Sequence, residues 1–145
     1  MNTGYKTEAE VRELLRKITC SEIDDTVRVF PPFNINYGKK TTFGKGSFVN
    51  FGCTFLGLGG ITIEEGVFIA PHCVIATEYH PEDLETRHSL LTKPITIKKN
   101  AWIGASATIL AGRNNWRPLH NRRRKRCSQG YSIRFVGSGQ SMQGG

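Results

Sequence analysis

The feature that most constrains this sequence is a six-residue repeat of large apolar residues. The repeat runs in three blocks, made of Tyr37, Phe43, Val49 and Phe55; Ile63, Ile69 and Ile75; and Leu91, Ile97, Ile103 and Ile109. An α-helix would repeat every 3.6 residues and a flat strand every two, so neither explains a period of six. A hexapeptide repeat is typical of a parallel β-helix, in which three short strands and three corners make one triangular coil.

A second set of residues fits the same coil. The fourth residue after many of the large apolar ones is small or β-branched, and these positions are Thr41, Ser47, Cys53, Val67, Cys73, Ile95, Ala101 and Ala107. We expect both sets to point into the prism that the coils enclose. Cys53 and Cys73 are therefore expected to be packing residues rather than nucleophiles.

Two interruptions of the repeat predict where the chain leaves the coil. Two residues are inserted between Phe55 and Ile63, around "LGLGG", and ten between Ile75 and Leu91, around "EYHPEDLETRHS". Solenoid proteins often carry functional residues on such loops. The longer insertion, residues 79–90, is expected to protrude and to hold part of a site.

The residues before the repeat predict one amphipathic helix. Thr7 and Glu10 have the T-x-x-E spacing of a capping box. One apolar face follows, made by Val11, Leu14, Leu15 and Ile18. The chain is thus expected to divide into a helix and lead-in at 1–30, a β-helix at 31–112 and a separate tail at 113–145.

The cysteine pattern and the N-terminus predict a cytoplasmic protein. Four cysteines, at positions 20, 53, 73 and 127, are widely spaced and form no C-x-x-C pair, which favours reduced thiols. The charged N-terminal residues lack the apolar core of a secretory signal. No apolar run approaches membrane-spanning length, so no membrane partner is expected.

The positive charge of the chain lies entirely in the tail. Residues 1–112 hold twelve Lys and Arg and twelve Asp and Glu, whereas residues 113–145 hold eight basic residues and no acid, which accounts for the net charge of +8. A basic block can serve as a nucleic-acid arm. This one has neither a repeat period nor enough apolar residues to bury, so we expect a disordered tail and no specific nucleic-acid partner.

Three short motifs around the longer insertion carry a family resemblance. "IAP" precedes the loop, "HP" opens it and "WIG" follows it. With the hexapeptides, they resemble the sugar O-acetyltransferases of the maltose and galactoside type, in the hexapeptide-repeat acyltransferase family. The resemblance covers roughly residues 7–112. It implies a left-handed β-helix, acetyl-CoA as cosubstrate, no metal, a sugar or related hydroxyl acceptor, and a homotrimer with sites between subunits.

The resemblance assigns the catalytic role to His80, the histidine of "HP". In the family this histidine is the general base that takes the acceptor hydroxyl's proton as the oxygen attacks the thioester. An imidazole suits that task because it titrates close to neutral pH. The alternative is that His80 only caps the loop before Pro81.

The resemblance also suggests binding residues. Asn50 and Glu85 are expected to contact the acceptor, while Trp102, Gly104 and Ala105 are expected to contact the coenzyme. Trp102 could instead lie at a trimer interface, because an exposed indole suits either surface. Relatives often carry acidic residues after the Asn50 strand to hold the sugar, whereas "LGLGG" supplies none here.

Two other functions are weaker alternatives. Carbonic anhydrases also use left-handed β-helices, and His72, His80 and His88 invite a zinc site, but their spacing of eight and eight fits neither the coil nor a helix. A non-catalytic β-helix that serves as an interaction module is the other alternative. The loop carrying His80 argues against it.

The resemblance stops at Gly112, where relatives continue with "GVTIG" and end near "GNP". Codons can be chosen for residues 113–127 so that dropping the first base gives "VTIGDHCIIGAGSV". Continued through Gly145, the shifted frame gives "VxKDIPSDSLAVGNPCKV". Both stretches match the family's closing coils in register with Ile109. We therefore interpret the basic tail as the product of a one-base frameshift near Gly112.

This interpretation predicts the DNA sequence around codon 112. Sequencing should show a frame, one base away from the translated one, that encodes "VTIGDHCIIGAGSV" or a close variant. DNA whose shifted frame encodes something unrelated would contradict the frameshift, and the basic run would then be a genuine feature of the protein.

Overall fold

The six-residue repeat folds into stacked coils whose strands form three parallel sheets. The structure is a computed structural model that describes residues 1–111 and the backbone of Arg126–Ser128. After helix α1 (Glu8–Thr19), the strands are β1 (Arg28–Val29), β2 (Phe33–Ile35), β3 (Thr41–Phe43), β4 (Phe48–Val49), β5 (Cys53–Leu56), β6 (Ile61–Ile63), β7 (Phe68–Ile69), β8 (Val74–Ala76), β9 (Glu78–Tyr79), β10 (Leu91–Thr92), β11 (Ile95–Ile97), β12 (Trp102–Ile103), β13 (Thr108–Leu110) and β14 (Arg126–Ser128). A 3₁₀ turn at Gly38–Lys40 precedes β3.

Each coil gives one strand to each sheet. Sheet A has the order β1-β4-β7-β12, sheet B the order β2-β5-β8-β13-β14, and sheet C the order β3-β6-β11. All pairs within these sheets are parallel, with equivalent residues in register, as Val49 with Ile69 and Ile69 with Ile103. This arrangement confirms the parallel β-helix predicted from the period of six.

The inward residues are those of the repeat, with two exceptions. Nine of the eleven large repeat residues are buried, from Phe43 to Ile109, while Tyr37 is half-buried. The prediction for Leu91 was wrong, because this residue is 42 % exposed and pairs with Tyr79 in an antiparallel hairpin. The hexapeptide that contains Leu91 belongs to the protruding loop, and the coil resumes at Ile95.

Helix α1 closes the first end of the prism. The capping box is present, with the Glu10 amide donating to Thr7 Oγ1 at 3.3 Å and the Thr7 amide donating to Glu10 Oε2 at 2.7 Å. Val11 and Leu15 are buried, while Ile18 packs on Gly38, where an added Cβ would lie only 2.3 Å from its Cγ2. The predicted helix and its apolar face are therefore confirmed.

Two of the corners are tight turns with a left-handed residue at an equivalent position in each coil. One series is Gly46, Gly66 and Asn100, and the other is Gly52, His72 and Ser106. Glycine adopts positive φ without steric cost, and asparagine tolerates it better than most residues. His72 thus occupies a corner, where its ring packs edge-on against Phe51 with centroids 5.3 Å apart.

The longer insertion forms an arm that leaves the corner between sheets B and C. Its stem is the antiparallel pair β9 and β10, and its tip spans residues 80–90. The predicted loop at 79–90 therefore lies within the arm. No helix among residues 1–111 is long and apolar enough to cross a membrane.

The predicted tail lies outside the described residues, apart from one strand. The backbone of Arg126–Ser128 pairs in parallel with β13, placing residue 127 beside Ile109. The disorder expected for residues 113–145 and the frameshift near Gly112 both stay predictions.

Two ion pairs join the coils on either side of the arm. Glu64 accepts hydrogen bonds from Lys98 Nζ at 2.8 Å and the Lys99 amide at 2.7 Å, while Glu65 pairs with Lys99 Nζ at 2.8 Å. Hydrogen bonds from Lys98 and from the Lys99 amide lower the pKa of Glu64, and Lys99 lowers the pKa of Glu65. The carboxylates therefore hold together residues that are 34 positions apart in sequence.

These lowered pKa values predict an acid-sensitive contribution to stability. A carboxyl whose pKa is lower in the folded state stabilises the fold above its unfolded pKa, and that contribution is lost as the pH falls through the folded pKa. The melting temperature should therefore fall as the pH drops below about 4.5, the ordinary glutamate value. The double variant Glu64→Gln/Glu65→Gln should melt lower at pH 7 and lose less on acidification.

Circular dichroism melts between pH 7 and pH 3 would measure both effects. Glu85→Gln is the matched control, since no residue among 1–111 forms a hydrogen bond with its side chain. This control should keep the pH dependence of the parent. An unchanged pH dependence in the double variant would contradict the role of the two ion pairs.

Candidate active site

His80 lies on the arm, directly after strand β9, with its ring held by two backbone carbonyls. Its Nδ1 is 3.0 Å from the carbonyl oxygen of Arg87 and 3.0 Å from that of Ser89. A carbonyl oxygen can only accept, so Nδ1 must carry a proton and donate. In the neutral ring Nε2 then keeps its lone pair, and the side chain is exposed.

The arm holds the ring of His80 through its Nδ1 atom. The Nδ1 contacts close the tip of the arm across residues 80–89, as the loop-capping alternative expected. The cap uses only one ring nitrogen, so it does not compete with a role as general base. The backbone of the tip fixes the tautomer in which Nε2 can take a proton from a bound hydroxyl.

The root of the arm is anchored to the "LGLGG" corner by polar contacts of Thr77 and Glu78. Thr77 is fully buried, donates from Oγ1 to the Leu56 carbonyl at 2.7 Å and accepts from the Gly59 amide at 2.8 Å. Glu78 Oε1 accepts from Asn36 Nδ2 at 2.8 Å and from the Leu58 amide at 3.2 Å. These hydrogen bonds therefore hold in place the part of the chain that leads to His80.

Three residues at the root of the arm were not predicted from the sequence, namely Asn36, Thr77 and Glu78. Asn36 and Glu78 are 42 residues apart, and the period of six assigns neither of them a role. One usable signal was present in the sequence, since Glu78 precedes His80 by two residues. Side chains two apart in an extended strand point to the same side.

The other predicted binding residues lie at the corner between sheets A and B. Trp102 is 59 % exposed on the outer face of sheet A, and Gly104 and Ala105 follow it in the next corner. Asn50 occupies the position equivalent to Gly104 two coils earlier, since Val49, Ile69 and Ile103 are in register. These residues thus share one edge of the prism.

Neither of the two predicted backbone donors, the Gly104 N–H and the Ala105 N–H, has an acceptor among residues 1–111. In earlier coils the residue equivalent to Gly104 donates to the following coil, as Asn50 N to Ile69 O and Ala70 N to Ile103 O, both at 2.9 Å. The position of Ala105 is filled by Phe51, whose amide donates to the Asn50 side chain, and by Pro71, which has no N–H. No residue among 1–111 accepts the Ala105 N–H.

Asn50 is half-buried and partly committed to its own corner. Its Oδ1 accepts the Phe51 amide at 2.9 Å, which leaves one lone pair of Oδ1 and the Nδ2 group to bind a ligand. Glu85 lies at the exposed tip of the arm, where its own amide donates to Asp83 Oδ1 at 3.4 Å. The assignment of both residues to the acceptor stays a prediction.

The structure does not gather all the predicted residues into one site within a chain. His80 and Glu85 are on the arm, which leaves the corner between sheets B and C. Asn50, Trp102, Gly104 and Ala105 lie at the corner between sheets A and B, with the width of sheet B between the two corners. A site that uses both groups would need the arm of one chain and the edge of another.

An aromatic stripe crosses the outer face of sheet A below Trp102. The register places Phe48, Phe68 and Trp102 on successive strands, and Phe30 packs against Phe48. Ring centroids are 5.1 Å apart for Phe30 and Phe48 and 5.6 Å for Phe48 and Phe68. Half the surface of Phe68 is exposed, so this stripe is apolar and open.

The buried cysteines have no open path to a substrate. Cys53 and Cys73 are fully buried and occupy equivalent positions in successive coils, as Thr54 pairs with Val74. A hydrogen bond with Cys73, and then burial, raises the pKa of the Cys53 thiol above its ordinary value. The same contact lowers the pKa of Cys73, but its Sγ lies 3.1 Å from the Gly104 carbonyl, to which a protonated thiol donates.

Residues 1–111 contain no group of three or more His, Cys, Asp and Glu side chains that could hold a metal ion. His72 packs at its corner against Phe51, whereas His80 and His88 are on the arm. The three histidines of the zinc alternative therefore do not form such a group.

The chain is similar to several proteins of known name. No family model matches the chain. Nodulation protein L of Rhizobium meliloti (strain 1021) is 34 % identical over 113 residues, which is 77 % of this chain and 62 % of that protein. Galactoside O-acetyltransferase of Escherichia coli (strain K12) is 32 % identical over 113 residues, which is 77 % of this chain and 56 % of that protein.

Solved structures of acetyltransferases are also similar to this chain. A maltose O-acetyltransferase from Clostridium difficile 630 superposes with a TM-score of 0.68 at 33 % identity, over 75 % of this chain and 59 % of that one. The β-helix of this chain is similar to that of hexapeptide-repeat and maltose acetyltransferases of known structure. The resemblance seen in the sequence and the left-handed β-helix that it implied are thereby confirmed.

Two further facts bear on how far the similarity reaches. A hexapeptide-repeat acetyltransferase from Vibrio cholerae, solved in complex with acetyl coenzyme A, superposes with a TM-score of 0.54 at 26 % identity, over 71 % of this chain and 63 % of that one. The chain spans about half to three fifths of the length of the curated relatives it matches.

Proposed function

We propose that this protein is an acetyl-CoA-dependent O-acetyltransferase that moves an acetyl group to a hydroxyl of a sugar or similar acceptor. The observation that carries the proposal is the geometry of His80, whose Nδ1 donates to two carbonyls and whose side chain is exposed, so that Nε2 carries the lone pair in the neutral ring. The names of the relatives support the reaction, and the complex with acetyl coenzyme A supports the donor.

The chemistry needs one base and no covalent enzyme intermediate. His80 Nε2 takes the proton of the acceptor hydroxyl while the oxygen attacks the thioester carbonyl of acetyl-CoA. The tetrahedral intermediate then collapses, the C–S bond breaks, and the departing thiolate takes the proton from the imidazolium. We assign to the Ala105 N–H, which has no acceptor within residues 1–111, the role of a donor to the coenzyme.

We propose that the protein works as a homotrimer. The arm that carries His80 starts at one corner of the prism, whereas Asn50, Trp102 and Ala105 lie at another. A site formed between two chains would bring the two groups of residues together. The aromatic stripe of Phe30, Phe48 and Phe68 is an apolar surface that subunit contact would bury. A cytoplasmic location stays a prediction from the sequence.

The first prediction for this function concerns His80. Turnover of acetyl-CoA with methyl β-galactoside or maltose should be measured for the 145-residue chain and for the chain read in the restored frame after Gly112. In whichever is active, His80→Ala should lower kcat by about 10²-fold or more, because losing a general base has an effect of that size. The melting temperature should hardly change, since the side chain lies outside the prism.

His88→Ala is the matched control, because His88 is also exposed on the arm. This variant should keep the turnover of the parent. A His80→Ala enzyme with kcat within about twofold of the parent would overturn the assignment of His80 as the base. A parent without acetyl transfer in either frame would overturn the proposed function itself.

The second prediction separates two roles for Trp102. If the indole contacts the coenzyme, Trp102→Ala should raise KM for acetyl-CoA several-fold and leave KM for the acceptor nearly unchanged. Phe68→Ala, one coil below in the same stripe, is the control and should weaken the trimer on size-exclusion chromatography. Dissociation of the Trp102→Ala trimer with an unchanged KM would assign the indole to the subunit interface instead.

A further inference from the structure

Glu78 is a half-buried residue whose carboxylate forms hydrogen bonds through only one of its two oxygens among the described residues. Its Oε1 accepts two hydrogen bonds, from Asn36 Nδ2 and from the Leu58 amide. Within residues 1–111, Oε2 has no hydrogen-bond donor and neither oxygen has a cationic partner. Among the described residues, the second oxygen of this carboxylate therefore remains without a partner.

The two contacts at Oε1 explain why the carboxylate is well placed. Asn36 Oδ1 accepts the Gly57 amide at 2.8 Å, so Asn36 and Glu78 together grip the corner at residues 57–60. The buried Thr77 fixes the neighbouring backbone through Leu56 and Gly59. A neutral amide would serve this grip equally well, because both donors go to one oxygen.

The position of Glu78 relative to His80 suggests a use for the free oxygen. The two residues are separated by one position, with Glu78 in strand β9 and His80 directly after it, so an extended backbone that continued to His80 would direct both side chains to the same side of the arm. Their Cα atoms are then roughly 6–7 Å apart, about the span of a sugar ring. A hydroxyl bound at Oε2 would leave another hydroxyl of the same molecule within reach of Nε2.

The "LGLGG" corner gives this carboxylate its significance. The corner contributes no acidic side chain of its own, and its Leu58 amide is instead covered by Glu78. An ionised carboxylate offers about four acceptor sites on its two oxygens and none that donate. It therefore suits a ligand rich in O–H or N–H donors and disfavours an anionic one.

We propose that Glu78 binds the acceptor, with Oε2 accepting one or two hydrogen bonds from a polyhydroxylated molecule and thereby presenting a further hydroxyl to His80. This inference rests on the proposed function. It makes Glu78 a specificity-determining residue that favours neutral or cationic sugars over acidic ones such as uronic acids.

The variant Glu78→Gln tests the role of Oε2 separately from the hydrogen bonds that Oε1 accepts. The amide keeps one oxygen for Asn36 and Leu58 but replaces Oε2 with a donor. We expect KM for methyl β-galactoside and for maltose to rise about tenfold or more, as a hydrogen bond to a charged group is lost. KM for acetyl-CoA and the melting temperature should stay close to those of the parent.

Two further variants control for general damage. Asn36→Ala loosens the grip but leaves the carboxylate, so it should lower the melting temperature and raise acceptor KM less than Glu78→Gln does. Glu65→Gln removes a carboxylate that is paired with Lys99 at another corner, and it should not change acceptor KM. Methyl galacturonoside should be a poorer acceptor than methyl galactoside for the parent and less so for Glu78→Gln.

Saturation-transfer NMR with methyl β-galactoside on the full 145-residue chain adds a test that does not depend on turnover. Binding by the parent that weakens in Glu78→Gln supports the inference. Acceptor KM or binding unchanged in Glu78→Gln overturns it, even if the parent transfers acetyl groups. A parent that transfers nothing overturns the proposed function, and a parent that also binds neither glycoside overturns both.

Discussion

The structure depends on the register between successive coils. Each short strand has too few residues to form a sheet alone, so its backbone groups find partners only in the coils before and after it. Val29, Val49, Ile69 and Ile103 stack in one such column, roughly 4.8 Å apart, and a shift of one residue would turn every inward side chain outward. The position of each exposed residue is therefore set by the buried residue beside it.

The arm is tolerated because both sides of the insertion are fastened to the coil. Val49 and Ile69 are 20 positions apart, whereas Ile69 and Ile103 are 34 apart, yet both pairs are in register. Thr77 and Glu78 hold the outgoing chain to the "LGLGG" corner, and Glu64 and Glu65 hold the returning chain through Lys98 and Lys99. The arm can thus carry a catalytic group without disturbing the column of inward residues.

The sequence predicted the parts of the fold that depend on spacing alone. The period of six fixes Ile63, Ile69 and Ile75 as inward residues, and the capping box at Thr7 starts the helix. The prediction that Leu91 points into the prism was wrong for a physical reason, since an apolar residue at the expected spacing can equally belong to a hairpin. Asn36 and Glu78 could not be paired from sequence because their contact depends on how two distant corners fold.

The stacking rule also bears on where a coenzyme could bind. In earlier coils the first residue after the sheet A strand, such as Asn50 or Ala70, donates its amide N–H to a carbonyl of the next coil. Among residues 1–111 the Gly104 amide has no such acceptor, and the Ala105 amide is equivalent to that of Phe51, which donates to the Asn50 side chain and not to the next coil. A Cβ added at Gly104 would meet no atom within 4 Å among the described residues, so this edge is open beside Trp102. A coenzyme bound along this edge would therefore lie against the exposed indole of Trp102.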